Sequence, residues 1–349
     1  MIDLPYSLTD HKEMEAALVW LNKYWNKPTQ PLYYLPKTLD EAISLLDGYR
    51  GEAKIIAGGI DLVGLMKCKV LSPRVLINIK EIPSLGAIDE EASGLKIGAL
   101  TTLDDIERST LIRSKYPLLF DITQSLGSPQ IRNMGTIGGN LCQEVRCWYY
   151  RRSPLTGISF TCRRKKEGEV CYAVNGENEN HAIFGENGCF AVAPSDMATG
   201  LLSLDARINT FDKKGGRIIP ISKFYTPLGH ILEPDEMITS IHVPNGKPDT
   251  RYRYLKFRSR KAIDFSTVSV SSVITMVNNI IDDAKIVVGG VSPMPHEAVR
   301  AEEILKGEPL NEKIAEKAAN ATVSDAIPLS KNGYKIPIVK ALIKRSLLE

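Results

Sequence analysis

The sequence predicts an α+β protein, in which an α/β unit is followed by an antiparallel sheet packed with helices. Strand, helix and strand patterns follow one another from Leu32 in "LYYLP", "TLDEAISLLDGY" and "AKIIAGG", an order typical of a crossover unit. In the last third, "MITSIHVP", "TRYRYLKFRSR", "STVSVSSVITMV" and "DDAKIVVGGV" alternate apolar with polar residues. Such alternation favours an antiparallel sheet with one covered face.

Composition is that of an ordinary globular protein. The chain has 349 residues, 43% hydrophobic and 24% charged, with a formal net charge of +3. This length allows two or three compact units, and the near-balanced charge gives no reason to expect nucleic acid as a partner. The start lacks the pattern of a signal peptide, and no apolar run approaches the roughly 20 residues of a membrane span. We therefore expect a cytoplasmic protein without structural disulfides.

Helix and turn signals divide the chain. Residues 10–27 have helical apolar spacing and end at two prolines, which predicts an N-terminal helical extension over residues 1–30. Thr38 is a predicted N-cap, with Glu41 completing a capping box. Residues 101–127 read as helical, whereas 128–140 have the Gly and Pro punctuation of turns. A domain boundary is predicted near residues 226–231.

Two glycine-rich turns are candidates for binding phosphate. "IIAGGIDL" places Gly58 and Gly59 between a strand and a helix, where backbone N–H groups can approach an anion. "MGTIGGN" adds a hydroxyl at Thr136, backbone amides at the glycines and a side-chain amide at Asn140. Together they could hold the two phosphates of a dinucleotide. Two unrelated tight turns are the other interpretation, and no G-x-G-x-x-G or P-loop pattern is present.

Five of the six cysteines lie within 48 residues, at positions 142, 147, 162, 171 and 189. Residues 143–190 lack regular periodicity, and so long an irregular segment needs something to order it. The spacing lacks the close pairs of most zinc modules and is more typical of an iron–sulfur centre. Buried free cysteines that pack as small hydrophobes are the alternative.

Three other residues have simple structural interpretations. Asp196 lies at a predicted helix start, where an N-cap role is adequate. Lys256 lies in a basic strand and is expected to face solvent. His181, near the cysteines in "ENHAIF", is predicted to be structural.

Six blocks in order resemble the FAD-binding medium subunits of the molybdenum hydroxylases, the xanthine dehydrogenase and carbon monoxide dehydrogenase group. They are "AGGIDL", "IRNMGTIGGN", "PSDMATGLLSLDA", "LEPDEMITSIHVP", "KFRSRKAIDFSTVSVS" and "GGVSPMPHEA". The resemblance runs from about Pro31 to the C-terminus. It implies an FAD-binding PCMH-type (vanillyl-alcohol-oxidase-like) domain of two subdomains, 31–82 and 83–225, followed by a CO-dehydrogenase-flavoprotein-like domain over 231–349.

The resemblance also implies the residues that surround FAD. Those expected along the adenine and pyrophosphate side are Ile55, Ile56, Ala57, Gly58, Gly59, Ile60, Asp61 and Leu62. Those expected at the second loop are Gly135, Thr136, Gly138, Gly139 and Asn140. Those expected around the flavin are Leu126, Asp196, Ile238 and Lys256.

The cysteine-rich insert, residues 141–190, resembles that of the medium subunit of 4-hydroxybenzoyl-CoA reductase, which implies a [4Fe–4S] cluster. The expected ligands are Cys147, Cys162, Cys171 and Cys189. Cys142 is left over, because it directly follows the second glycine loop.

The family implies an electron-transfer role within a larger oxidoreductase. Expected partners are a molybdopterin-containing large subunit, a [2Fe–2S] small subunit, and ferredoxin or NAD(P) as an external carrier. Two other functions stay open: a self-standing FAD-dependent oxidoreductase of the same fold, and a zinc-binding scaffold protein.

Overall fold

The computed structural model describes residues 30–152, 160–166, 168–261 and 263–349. The helix predicted over residues 10–27 lies outside these ranges. Within them, no helix is long and apolar enough to cross a membrane.

The first element of the described residues is a small parallel sheet. Its strands are β1 (Leu32–Tyr34), β2 (Ala53–Ile56) and β3 (Val75–Asn78), in the order β1-β3-β2. Helices α1 (Leu39–Gly48) and α2 (Leu62–Lys67) make the crossovers. The predicted N-cap of α1 is confirmed, since Thr38 Oγ1 accepts a hydrogen bond from Glu41 N at 3.2 Å. The predicted capping box is not formed, because the Glu41 carboxylate accepts from Lys37 N instead of Thr38 N. The crossover brings the glycine turn after β2 to the carboxyl edge of the sheet, where ligands commonly bind in α/β units.

A five-stranded antiparallel sheet follows, with a short hairpin beside it. The sheet strands are β4 (Ile88–Glu91), β5 (Gly94–Gly98), β6 (Arg207–Asp212) and β7 (Gly215–Pro220), and the hairpin is β8 (Tyr225–Thr226) with β9 (Gly229–His230). The fifth sheet strand, β10 (Met237–Pro244), lies in the centre of the order β4-β5-β10-β6-β7.

The segment predicted as one helix over 101–127 forms three. They are α3 (Leu103–Arg108), α4 (Thr110–Lys115) and α5 (Pro117–Ser125). Ser109 ends α3 and caps α4 by accepting from Ile112 N. Pro117 opens α5, because proline fits the first helical position but not a helix interior.

The turn-like segment 128–140 is also partly helical, contrary to the sequence prediction. It contains α6 (Pro129–Met134) and the start of α7 (Ile137–Leu141), which are capped by Ser128 and Thr136. Both helices are too short for periodicity to reveal. Further along are α8 (Trp148–Arg151), inside the insert, and α9 (Asp196–Ser203).

The C-terminal third has the predicted antiparallel sheet packed with helices. Its strands are β11 (Thr250–Phe257), β12 (Val268–Val277), β13 (Ile280–Gly289) and β14 (His296–Glu297). Its helices are α10 (Val299–Leu305), α11 (Glu312–Thr322) and α12 (Lys335–Leu348). Buried residues of both layers, among them Val270, Ile286 and Ile343, form one core.

The position of β10 corrects the sequence-based boundary near 226–231, which assigns this strand to the C-terminal domain. Ile241 pairs with Ile97 on one side and with Ile208 on the other. A strand between β5 and β6 belongs to their sheet, although it is distant from β5 in sequence. We therefore propose that the boundary lies between Pro244 and Thr250.

Candidate FAD-binding site

One cavity of about 610 Å³ lies between the parallel sheet, the five-stranded sheet and the start of the C-terminal sheet. Its size is in the range of cofactor sites. The residues lining it include all those expected from the family resemblance except Ile56. Ile56 lies beneath the turn, where its side chain would contact a β-carbon at Gly59 at 3.4 Å.

The two glycine segments meet at the cavity. A β-carbon at Gly58 would lie 1.8 Å from Met134 O, so the backbones of the two segments are in contact there. Gly59 has φ +72°, a conformation that favours glycine. Within the described residues, the N–H groups of Gly58, Gly59, Ile60 and Asp61 have no hydrogen-bond acceptor. The first segment can therefore donate to an anion.

The second segment differs from the sequence prediction, because its glycine amides are already used. Gly138 N donates to Ala99 O at 3.0 Å, and Gly139 N donates to Thr136 Oγ1 at 3.2 Å. A β-carbon at Gly138 would lie 2.9 Å from Ala99 O. These glycines allow close backbone packing and shape the cavity wall. Asn140 Oδ1 accepts a hydrogen bond from Ser195 Oγ at 2.6 Å, which ties this wall to α9.

Asp196 and Lys256, expected near the flavin, form a buried ion pair. Lys256 Nζ lies 2.7 Å from Asp196 Oδ2, and their side chains are 5% and 2% exposed. Lys256 Nζ also donates to Ser125 O at 3.2 Å, beside Leu126. Both residue-based expectations are thus corrected. Ser195 is the cap of α9, accepting from Ala198 N at 3.0 Å, and Lys256 does not face solvent.

Asp61 joins the first glycine segment to the insert. Its carboxylate accepts from Glu144 N at 2.8 Å, from Arg151 Nη2 at 2.8 Å and from Arg146 Nη1. It makes no capping bond to α2. Burial alone would raise the pKa of Asp61, but the two guanidinium groups and the Glu144 N–H lower it. The charged carboxylate therefore holds the insert against the cavity.

Three of the four predicted cluster ligands border one small apolar patch, and the fourth lies near two of them. Cys189 is buried there with Leu65, Val145 and Tyr150, and Cys147 and Cys162 pack against this group. Cys171 lies near enough to Cys147 and Cys189 to raise the pKa of each, secondary to burial. Leu65 also lines the cavity. The cysteine patch and the cavity therefore share a wall.

The donor set of this patch consists of thiols. All six cysteines of the chain are free. Burial raises the pKa of the Cys147 thiol to about 11, and its sulfur lies 3.3 Å from His181 Nε2. In the part of the chain that the structure describes, no three His, Cys, Asp or Glu side chains are arranged to hold a single metal ion. Thiols are the ligands of iron–sulfur clusters, and structural zinc sites use them as well.

Cys142 is separate from this patch. It lines the cavity immediately after the second glycine segment. Burial raises the pKa of its thiol to about 12, so the thiol stays protonated at neutral pH.

Sequence reasoning missed several cavity residues. They are Lys54, Arg146, His230, Ile263 and Phe265. Arg146 directly precedes a predicted ligand, Cys147, and its guanidinium lies 4.7 Å from the centre of the Phe265 ring. The only sequence signal for a role of Arg146 in the cavity was its position as a basic residue between the second glycine segment and the predicted ligand Cys147.

The chain matches two protein families along nearly its whole described length. Residues 26–246 match the FAD binding domain in molybdopterin dehydrogenase. Residues 252–349 match the CO dehydrogenase flavoprotein C-terminal domain.

Named relatives give the same result. The chain is 31% identical over 309 residues to the aldehyde oxidoreductase FAD-binding subunit PaoB of Escherichia coli K12, covering 85% of this chain and 91% of that protein. It is 27% identical over 327 residues to the glyceraldehyde dehydrogenase medium chain of Sulfolobus acidocaldarius, covering 92% and 99%.

The fold is shared with a solved structure, that of the Cu,Mo-CO dehydrogenase in its cyanide-inactivated form. The TM-score is 0.72 at 24% identity, with 90% of this chain and 95% of that chain covered. The chain belongs to the FAD-binding medium subunits of the molybdenum hydroxylases, of the carbon monoxide and xanthine dehydrogenase type, and is an oxidoreductase subunit.

Proposed function

We propose that this chain is the electron-transferring medium subunit of a heteromeric molybdenum hydroxylase and holds a [4Fe–4S] cluster beside its FAD, as in 4-hydroxybenzoyl-CoA reductase. Its partners are a molybdopterin-containing large subunit and a [2Fe–2S] small subunit. An external carrier, ferredoxin or NAD(P), completes the path. The observation that carries the cluster proposal is the wall shared by the cavity and the apolar patch that Cys147, Cys162 and Cys189 border, with Cys171 near two of these thiols.

Each cofactor has its own residues. Bound FAD supplies chemistry that joins one-electron and two-electron carriers. The Gly58–Asp61 segment offers free N–H groups to its phosphates. The Asp196–Lys256 pair also lines the cavity, and Lys256 bonds Ser125 O, next to Leu126. Cys147, Cys162, Cys171 and Cys189 would hold the iron, which requires that they bind as thiolates. Cysteines that stay as free thiols are typical of proteins in a reducing compartment, so we also propose a cytoplasmic location.

Metal and flavin analysis of the anaerobically purified protein tests the proposal. We expect FAD, together with iron and acid-labile sulfide in the amount of one [4Fe–4S] cluster per chain. FAD without iron would contradict the cluster. Zinc in place of both would contradict the function. A chain that purifies without partner subunits and oxidises an organic substrate would instead indicate a self-standing FAD oxidoreductase.

A cysteine series assigns the ligands. Cys147→Ser is expected to lose iron and sulfide and to keep FAD, because the serine hydroxyl is a poor iron ligand. Cys68→Ser, outside the insert, is the matched control and should keep both cofactors. If Cys147→Ser loses FAD together with iron, the two sites are not separate. If it keeps a full cluster, the ligand set is wrong.

A further inference from the structure

We propose that Arg146 of the cysteine-rich insert is a diphosphate-binding residue of the FAD cavity, an inference that rests on the FAD site described above. Among the described residues, the lysine and arginine side chains that line the cavity are Lys54, Arg146 and Lys256. Lys256 is bonded to Asp196 and to Ser125 O. Among the three, Arg146 is the one hydrogen-bonded to the first glycine segment, through Asp61.

The main observation behind this inference is that Arg146 lies next to the free backbone amides of the first glycine segment. Gly58, Gly59, Ile60 and Asp61 present N–H groups that have no acceptor within the described residues. A run of such groups around a left-handed glycine forms an anion-binding concavity. Neutral amides alone do not compensate the negative charge of a diphosphate, and the Asp61 carboxylate beside them adds another negative charge. A guanidinium at this position supplies the missing positive charge in a geometry that suits phosphate.

Arg146 is held in place before any ligand binds. Its Nη1 donates to Glu144 O at 3.1 Å and to Asp61, and its Nη2 donates to Gln143 Oε1 at 2.8 Å. The guanidinium carbon lies 4.7 Å from the centre of the Phe265 ring. Within the described residues the hydrogen bonds use only part of the five N–H groups of an arginine. The remaining donors are available to phosphate oxygens, and the ordered side chain lowers the entropic cost of binding.

Arg151 provides a matched control within the same network. Its Nη2 donates to the same Asp61 oxygen at 2.8 Å, and its side chain has the same exposure as that of Arg146, 21%. Arg151 does not line the cavity. Replacing Arg151 therefore weakens the anchoring of Asp61 without removing a charge from the cavity.

The experiment measures binding of FAD and of riboflavin, by flavin fluorescence, to the full-length protein after removal of its FAD. Arg146→Gln is expected to weaken FAD binding by about ten- to a hundred-fold, the usual effect of losing a hydrogen bond between charged groups. Riboflavin, which lacks phosphate, should bind equally to Arg146→Gln and wild type. Arg146→Lys should recover part of the FAD affinity, and Arg151→Gln should stay within about three-fold of wild type.

Three results would overturn the proposal. They are an unchanged FAD affinity in Arg146→Gln, a loss of riboflavin affinity as large as that of FAD in this variant, and a loss of FAD affinity in Arg151→Gln as large as that in Arg146→Gln. The last result would give Arg146 a purely structural role through Asp61. A wild-type protein that binds no FAD would instead refute the FAD site itself, so the two failures are distinguishable.

Discussion

Lys256 Nζ lies 2.7 Å from Asp196 Oδ2 in a pair whose two side chains are almost completely buried. The pair connects β11 of the C-terminal sheet with α9 and, through Ser125 O, with the end of α5. Ser266 Oγ donates to the other carboxylate oxygen at 2.9 Å. Three parts of the cavity wall are thereby fixed relative to one another.

Asp196→Asn is expected to destabilise the protein, because it leaves the Lys256 charge buried without a counter-charge. Removing one partner of a buried pair typically costs about 3–5 kcal/mol. Chemical denaturation measures the change. The control is Lys247→Met, which breaks the exposed pair with Asp283 and should change the free energy of unfolding by less than about 1 kcal/mol. If both variants change the free energy of unfolding equally, the buried pair contributes no more to stability than the exposed pair.

Gly58→Ala should separate the two glycine segments. The added β-carbon would overlap Met134 O, a backbone atom that cannot move aside without its segment. We expect a loss of about 1–3 kcal/mol in stability and weaker FAD binding. Gly64→Ala, in α2, is the control, because a β-carbon there meets no atom within 4 Å. That variant should gain up to about 1 kcal/mol. Normal FAD affinity in Gly58→Ala would contradict the contact between the segments.

Thr136→Ala should lower stability by about 1 kcal/mol, because Thr136 Oγ1 caps α7 by accepting from Gly139 N. Thr136→Ser keeps the oxygen and should stay close to wild type. Thermal unfolding of the three proteins tests this. A loss in the serine variant equal to that in alanine would show that the methyl group, and not the cap, is what stabilises this turn.

The burial of Lys335 predicts that the free energy of unfolding depends on pH. It is 1% exposed, its Nζ donates to Gly290 O at 2.8 Å, and burial lowers its pKa from 10.5 to about 7. Between these values the unfolded chain binds a proton that the folded chain does not. This lysine's contribution to stability therefore increases as the pH rises from about 7 to 10.5, by up to roughly 1.4 kcal/mol per pH unit.

Denaturant unfolding at several pH values in this window measures that slope. Lys335→Met should lose it, since methionine does not titrate. Lys306→Met, at an exposed position, should leave it unchanged. Parallel pH profiles for wild type and Lys335→Met would contradict the assignment of the slope to Lys335.

The sequence was informative where a local pattern determines structure. The cap at Thr38, the alternating strands of the C-terminal sheet and the first glycine turn could be predicted because their signals lie within a few residues. Lys256 and Asp196 were misjudged for a physical reason. The two residues are 60 positions apart in the sequence and bond each other. Tertiary packing brings them together, and a contact of this kind leaves no periodic pattern in the sequence.

The same limit applies to the amides of the second glycine segment and to β10. Gly138 N, in α7, donates to Ala99 O, which directly follows β5. The strand β10 pairs with β5, which lies far upstream in the sequence. Arg146 is a third case. Its place in the cavity depends on how the insert folds back onto Asp61, and nothing in the spacing of the cysteines predicts that contact.

The most direct test of the FAD site is an experimental structure of the anaerobically purified protein with its cofactor bound. We predict that the FAD diphosphate lies at the N–H groups of Gly58–Asp61 and contacts the Arg146 guanidinium, and that the Asp196–Lys256 pair lies beside the flavin. FAD bound elsewhere, or with its diphosphate away from both this segment and Arg146, would contradict it.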